Sequence, residues 1–478
     1  MKTTQEVKIG NSNCEYGYRI DAIETIPNIN ENIRINKSPQ DIIQVFNTKE
    51  IETDSSFIEY KPSDTGKWTH NYHRYPAKFI PQLVEKLIDE YIICSEAHIN
   101  DPFFGCGTTI ITGISRGFKV SGTDINKIAY LITKVKSTPI EPEYLEKKIN
   151  NLLSELKILI SPQITFFVDN FEPLIPQKHL DRIDYWFSEE NKIELGIILR
   201  VIYNEEDENI RNFFLVAFSH ILKSCSIWLQ GSTKPTRDFN KKTSRPFDTF
   251  RRHLIKMQHG NNDFYHIVHK NIMENINQYL NIKIGDAKKQ PLDDETADLI
   301  ITSSPYVTSY EYADIHQLST IWLDLADDLK EYKKEFIGSS YKKNDNRVLK
   351  SLIAKDIVEK MEQKSKKMAK EIEAFFIDMQ DVFDEGFRIL KKGGRCCYVI
   401  GDTKLKGIDI LNAEVFAESL QYSGFKFDRL IKREIPSKIL PQKRDAKTGR
   451  FANNHEANFE AYPIEYIVIG LKEKKNEL

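Results

Sequence analysis

Apolar and polar positions follow two different periods along this 478-residue chain, and the changes of period mark its organisation. Residues 1–57, rich in Asn, Ile and Glu, show little periodicity and read as an N-terminal extension, a loosely attached arm. After Trp68 the signal sharpens: a proline-punctuated loop leads to Leu83, Leu87 and Ile88 at helical spacing. A short strand ending near Asn100, a glycine loop, a helix through Ile114 and a strand over 118–121 come next. That order, β-loop-α-β, opens a doubly wound sheet.

From about Tyr144 to Leu280 strand-like alternation nearly disappears and long amphipathic helices take over. Leu145, Ile149, Leu152 and Leu156 form one apolar stripe, and residues 213–227 form a second apolar run. The α/β pattern returns at NIKIGDAKKQPLDDETADLIITSSPY, two short strands bracketing a turn. A Lys-rich helical region over 324–380 follows, and its part 355–370 reads as an exposed helix face. GFRILKKGGRCCYVIGD then reads as helix, Gly-Gly turn and buried strand, and the chain closes with a strand pair ending YPIEYIVIGLKEK. The expected organisation is an extension (1–57), a catalytic domain in two parts (58–140 and 281–478) and a helical insertion (141–280) between them. The fold class is α/β: a doubly wound, Rossmann-like sheet interrupted by helices.

Composition narrows this little. With 40% hydrophobic and 29% charged residues the chain can bury a sizeable core. No apolar run approaches the ~20 residues that span a bilayer, and MKTTQEVKIG lacks a signal-peptide core, so a cytoplasmic location with no membrane partner is expected. A net charge of -2 excludes nothing, because basic residues can concentrate on one face. The six cysteines show no CxxC spacing and no His partner at metal-ligand distance; reduced thiols and no metal are expected.

The chemistry begins at Asp101-Pro102-Phe103-Phe104-Gly105-Cys106-Gly107-Thr108-Thr109, where a strand hands over to a helix. Glycines there let backbone approach a ligand, and a helix N-terminus favours a carboxylate or phosphate. A bare tight turn would look the same. A dinucleotide fingerprint would need a third glycine where Ile110 stands, which argues against nicotinamide or flavin. Asp124 follows the second strand, about 20 residues beyond the loop, where an acid can accept ribose hydroxyls or simply cap a helix. Asp286, in Ile284-Gly285-Asp286-Ala287, again ends a short strand, where it could receive an adenine amino group. Three strand-end acids around one glycine loop fit adenosine.

Thr302-Ser303-Ser304-Pro305-Tyr306, directly after an apolar strand, makes the pattern specific. The chain resembles the amino-group DNA methyltransferases, whose (S/N/D)-P-P-(Y/F/W) tetrapeptide follows the fourth strand. DPFFGCGTT is similar to their cofactor loop, and HRYPAKFIPQLV resembles the segment covering the methionine end of the cofactor. GDAKKQP…DLIITSSPY is similar to their adenine-binding and catalytic segments, and LKKGGRCCYVIGD is a weaker echo. The resemblance implies S-adenosylmethionine as cofactor, held by Lys78, Phe79, Asp101, Phe103, Gly105, Gly107, Thr108, Asp124, Asp286 and Ala287. It implies catalysis by Ser303, Ser304, Pro305 and Tyr306 on double-stranded DNA. A restriction system with a separate cognate endonuclease, or a solitary methylase, would be the setting.

The residue chemistry agrees. An exocyclic amino nitrogen is a poor nucleophile because its lone pair is delocalised. Accepting its hydrogens on the Ser303 hydroxyl and a main-chain carbonyl drives it towards a tetrahedral nitrogen, with most stabilisation in the transition state. Tyr306 offers a ring on which an extruded base can stack. Ser304 stands where the family usually has the first proline, so that residue's rigidity is lost. Serine at the first position is by resemblance more typical of cytosine N4 enzymes than of adenine N6 enzymes. Carbon-5 methylation would need a cysteine after a proline, and none is present. An RNA guanine-amino methylase with a similar turn and a binding protein that has lost catalysis remain as alternatives.

For the nucleic acid, residues 231–257 hold Lys234, Arg237, Lys241, Lys242, Arg245, Arg251, Arg252 and Lys256, with Phe239, Phe247 and Phe250 interleaved. Cations for phosphates and rings for bases suit a nucleic-acid groove, though a solvated basic loop has the same composition. The basic loop 438–450 is the second candidate. Target recognition is therefore expected in the insertion.

Overall fold

The computed structural model describes residues 37–75, 79–92, 94–161, 171–232, 234–307, 312–337, 347–435, 443–444, 459–460 and 464–474. Its centre is a seven-stranded sheet. In chain order the strands are β1 (His98–Asp101), β2 (Lys119–Asp124), β3 (Leu280–Ile284), β4 (Ala297–Ser303), β5 (Leu390–Ile400), β6 (Lys426–Glu434) and β7 (Ile464–Leu471). They lie side by side as β3-β2-β1-β4-β5-β7-β6. The first five are mutually parallel, and β7 runs antiparallel to both neighbours.

Helices cover both faces, so the central strands are apolar almost throughout, as buried parallel strands must be. Side chains still alternate. Leu299 and Ile301 join Cys397, Val399, Ile467 and the helices bearing Leu83, Leu87, Ile110 and Ile114. Ile300 joins Cys396, Tyr398, Val468, Phe383 and Phe416 on the opposite face. The order reverses between β1 and β4, and open α/β sheets bind ligands outside the carboxyl ends of strands at such a switch point.

The insertion is helical as its periodicity implied, with long helices Pro142–Leu159, Glu189–Tyr203, Glu208–Cys225 and Pro246–Ile267. Leu145, Ile149, Leu152 and Leu156 all point into its core. That core also takes in Ile128, Ile132, Val135, Tyr72, Leu318, Ile321 and Trp322, so the insertion shares its packing with the sheet's own helices.

Two expectations change. The described part of the extension is docked: helix Pro39–Thr48 has its N-terminus capped by Ser38, and it buries Phe46 against Phe427 and Tyr466. The Gly393-Gly394 pair lies inside β5, as an irregularity where pairing jumps from Ala297–Leu390 to Leu299–Arg395. Of the six cysteines expected to be reduced, Cys14 lies outside the described residues. Cys106, Cys225, Cys396 and Cys397 are free and buried. Among the described residues no helix is long and apolar enough to cross a membrane, and no His/Cys/Asp/Glu cluster could hold a metal.

Candidate active site

A cleft, partly open to solvent, lies at the carboxyl ends of β1, β2, β3 and β4. Tyr75 and Phe79, Phe103, Gly105, Cys106 and Thr108, Asp124 and Ile125, Gly285 to Ala287, and Ser303 with Pro305 contribute to its walls, and Gly107 lies behind them. Phe79, Phe103, Gly105, Thr108, Asp124, Asp286, Ala287, Ser303 and Pro305, read from separate stretches of sequence, therefore meet in one place.

The loop after β1 is held from below. Gly107 starts helix Thr108–Ser115 in the left-handed region (φ 79°), and a Cβ there would lie 2.7 Å from Thr133. A side chain would be doubly penalised. Thr133 Oγ1 donates to the Gly105 carbonyl (2.9 Å) and buried Lys136 Nζ donates to the Cys106 carbonyl (3.1 Å). No side chain caps this helix, leaving its first N–H groups for a ligand.

The acids divide the work. Asp101 is buried beneath the cleft, where its carboxylate accepts the Phe103 N–H at 3.1 Å. Burial pushes its pKa up to about 7, opposed by hydroxyls of Thr302 and Thr109. Asp124 accepts the Gly105 N–H (2.9 Å) and the Asn126 N–H (2.8 Å), and burial pushes it up to about 6. A carboxylate has lone pairs beyond these two, so tethering the loop and receiving ribose are compatible. Asn126, not Asp124, caps helix Lys127–Ser137. Asp286 sits across the cleft, with its Oδ1 accepting the Lys288 N–H (3.0 Å) and Lys288 Nζ 3.4 Å from its Oδ2.

Ser303 ends β4 half-buried on the cleft wall, and its hydroxyl has no hydrogen-bond partner among the described residues. Ser304 turns back into the sheet: its N–H donates to the Val399 carbonyl at 3.3 Å. Proline could not make that bond, so serine here replaces ring rigidity with a tie to β5. Tyr306 leaves the cleft wall; its hydroxyl donates to Glu465 Oε1 (3.2 Å), and its ring lies against Gly401. Glu465 is in turn paired with Arg433 at 3.0 Å. Lys78 lies outside the described residues.

Other cleft residues escaped the sequence reading. Tyr75, Pro102, Phe104, Cys106 and Ile125 adjoin recognised motifs, but Glu335, Phe336 and Ile337 come from a Lys-rich region that carried no site signal. They reach the cleft because Tyr332, one turn earlier, is anchored to the end of β2. Its hydroxyl donates to Asn126 Oδ1 (3.2 Å) and accepts the Lys127 N–H (3.0 Å). Phe336 packs edge-on against Tyr332 at 5.3 Å. Buried Gln290 fixes the β3–β4 turn by donating to Thr123 Oγ1 and the Ala287 carbonyl.

The basic stretch is only partly available to a ligand. Lys241 Nζ donates to the carbonyls of Lys223 (2.7 Å) and Trp228 (2.6 Å). Arg245 faces Glu194 at 3.4 Å and Asp248 at 3.8 Å. Phe250 is core and Phe247 packs against it. Lys234, Lys242, Arg251 and Arg252 are exposed, and Arg237 is half-buried between rings. Of 438–450, only 443–444 are described, as part of a two-residue strand pair with 459–460.

The chain matches no family profile. It is 28% identical over 433 residues to Type II methyltransferase M.MvaI of Kocuria varians, covering 85% of this chain and 92% of that one. It is 23% identical over 376 residues to Type II methyltransferase M.MjaII of Methanocaldococcus jannaschii, covering 61% and 69%. Its relatives are type II methyltransferases. Among solved structures, a SAM-dependent methyltransferase of Methanosarcina mazei aligns at 10% identity and TM-score 0.28 over 84% of this chain and all of that one, too distant to carry an argument. The strand order and the cleft are this chain's own.

Proposed function

We propose that this protein transfers a methyl group from S-adenosylmethionine to an exocyclic amino group of a DNA base, the N4 of cytosine. The observation that carries the reading is the Ser303 hydroxyl: it stands on the cleft wall with no hydrogen-bond partner among the described residues.

The cleft fits the cofactor. The uncapped helix Thr108–Ser115 suits the methionine carboxylate, the unused lone pairs of Asp124 suit ribose, and Asp286 with Ile125 and Phe103 would bracket adenine. S-adenosylmethionine supplies an electrophilic methyl group on a sulfonium. Ser303 Oγ accepts one hydrogen of the target amino group and a main-chain carbonyl of the turn accepts the other. The nitrogen lone pair is thereby released for in-line attack. A neutral hydroxyl is a shorter, weaker acceptor than a carboxylate, so the base must sit close, which suits a single-ring cytosine. Residues 141–280 serve target recognition, interrupting a catalytic unit made of 58–140 and 281–478.

Sequencing and nucleoside mass spectrometry of DNA from cells expressing the protein test the assignment. N4-methylcytosine is the expected product. N6-methyladenine would overturn the choice of base, methylguanine in RNA the choice of polymer, and cofactor binding with no methylated nucleic acid the assignment of catalysis.

A further inference from the structure

We infer that Arg182, Tyr185, Arg237 and Phe239 form a stacked ladder whose open end, the Phe239 ring, receives a DNA base. The inference rests on DNA being the substrate and assigns the contact to one surface of the insertion.

Phe239 is the most exposed large apolar side chain among the described residues, at 74%. Single exposed apolar residues are ordinary; what sets this one apart is how it is held. The Arg237 guanidinium lies 4.4 Å from the Phe239 ring centroid and 4.1 Å from that of Tyr185, and the Arg182 guanidinium lies 5.3 Å from Tyr185 on its other contact. Cation and ring therefore alternate through four members. The inner end is closed, because Arg182 donates to Gln317 Oε1 at 2.8 Å. The outer end is open.

The support beneath is rigid. Trp228 and Arg237 pair as an antiparallel bridge, with Leu229 N–H on the Thr236 carbonyl (2.8 Å) and Asp238 N–H on the Ile227 carbonyl (2.7 Å). Buried Trp228 stacks on Trp186 at 5.1 Å, and Tyr185 stands edge-on to Trp186 at 5.0 Å. Lys241 ties the hairpin's base through two carbonyls. A pre-ordered ring loses little freedom on binding.

Charge decides for nucleic acid. Lys234 is exposed on the hairpin, and Lys242 is exposed three residues beyond Phe239. The nearby acid Asp238 is half-buried and accepts the Asn240 N–H at 3.0 Å, so the exposed charges next to the ring are lysines. Cations for the backbone beside an open ring for a base are the two parts of a stacking platform, which tolerates sequence because every base has a π-face.

The test uses the full chain and unmethylated duplex plasmid fragments. Phe239→Ala should weaken duplex binding by several-fold and at most roughly 150-fold, the upper limit for one base–aromatic stack reduced by the unstacking of the duplex step that the ring enters, with S-adenosylmethionine affinity unchanged. Phe239→Trp should keep binding, and its emission should be quenched by the duplex; three of the four native tryptophans, Trp186, Trp228 and Trp322, are fully buried. Unaltered duplex affinity in Phe239→Ala, or unquenched Trp emission at saturating duplex, would overturn the inference. Methyl transfer by the wild type to the same fragments is measured in parallel. Transfer with an indifferent Phe239→Ala refutes the ladder alone, whereas no binding and no transfer to DNA refutes the functional reading beneath it.

Discussion

Around the strand-end cleft side chains hold backbone, while in the basic stretch of the insertion the protein holds some of its own cationic side chains. Asp124 fastens Gly105 and Asn126, Asp101 fastens Phe103, and Thr133 and Lys136 fasten the carbonyls of Gly105 and Cys106. In the insertion the carbonyls of Lys223 and Trp228 fasten Lys241, and Glu194 faces Arg245. Commitment in the cleft singles out the Ser303 hydroxyl, which has no hydrogen-bond partner among the described residues. Commitment in the insertion means that a count of cations overstates what can grip a phosphate.

The largest expected effect follows from that hydroxyl. Ser303→Ala should lower turnover roughly 100- to 1000-fold, the range for losing one acceptor or donor used mainly in the transition state, while cofactor affinity stays unchanged. Calorimetry with S-adenosylmethionine and steady-state methyl transfer separate the two. Weakened cofactor binding with unchanged turnover at saturation would move Ser303 out of the chemistry.

Next comes Asp124→Ala. Losing charge-assisted bonds to ribose and the tether on Gly105 should weaken S-adenosylmethionine binding ~10- to 150-fold. Calorimetry on a variant shown to be folded by circular dichroism reads it. Undiminished affinity would leave Asp124 a purely structural brace.

On the insertion side the contrast becomes a pair of variants. Arg251→Ala with Arg252→Ala should reduce the salt slope of DNA binding by roughly one unit per lost phosphate contact. Lys241→Ala should leave the slope alone and lower the melting temperature, since it removes two bonds to buried carbonyls. If Lys241→Ala alone flattens the slope, the lysine leaves its carbonyls when DNA arrives.

The cleft's motifs were legible because their chemistry is local. A glycine that must adopt φ 79°, an acid at a strand end and a serine after an apolar strand are each specified by a few neighbouring residues. Glu335, Phe336 and Ile337 were not legible, because what brings them to the cleft is Tyr332 meeting Asn126, a contact between residues 206 apart. The same holds for Lys241 and Phe250, whose types suit a nucleic-acid groove and whose neighbours in space place them elsewhere. The Gly393-Gly394 pair misled for a further reason: glycine serves a turn and an in-strand irregularity equally well.

Asp101 gives the floor of the cleft a pH-dependent contribution to stability. Its folded pKa is raised to about 7 by burial, against an unfolded value near ~4. The native state therefore keeps a proton that the unfolded chain has released. The sign follows: this group's contribution to stability is greatest below about pH 4 and is lost as pH rises towards 7, beyond which it is level. Asp101→Asn should flatten that segment of a stability–pH curve measured by urea denaturation. An identical slope in the variant would show that another group titrates there.

The smallest effect expected concerns Ser304→Pro, which restores the residue the family usually carries. Proline would fix φ and reduce the freedom of the unfolded chain, worth roughly 0.4–1 kcal/mol where the native backbone is compatible. It would also delete the Ser304 N–H bond to the Val399 carbonyl, a long one at 3.3 Å, whose net worth is about 0.5–1.5 kcal/mol. The buried Val399 carbonyl also receives the Ser304 hydroxyl at 3.5 Å, which proline removes as well. The two lost bonds outweigh the gain slightly, so melting temperature should fall by a few degrees at most and turnover should move by a few-fold. Thermal denaturation and methyl transfer on the same preparation measure both. A large gain in turnover would mean that the tie to β5 is a poor substitute for the ring and that the turn in this protein is under-constrained. A large loss would mean that Val399 sets the position of the Ser303 hydroxyl through Ser304, which makes the neighbouring strand part of the catalytic geometry.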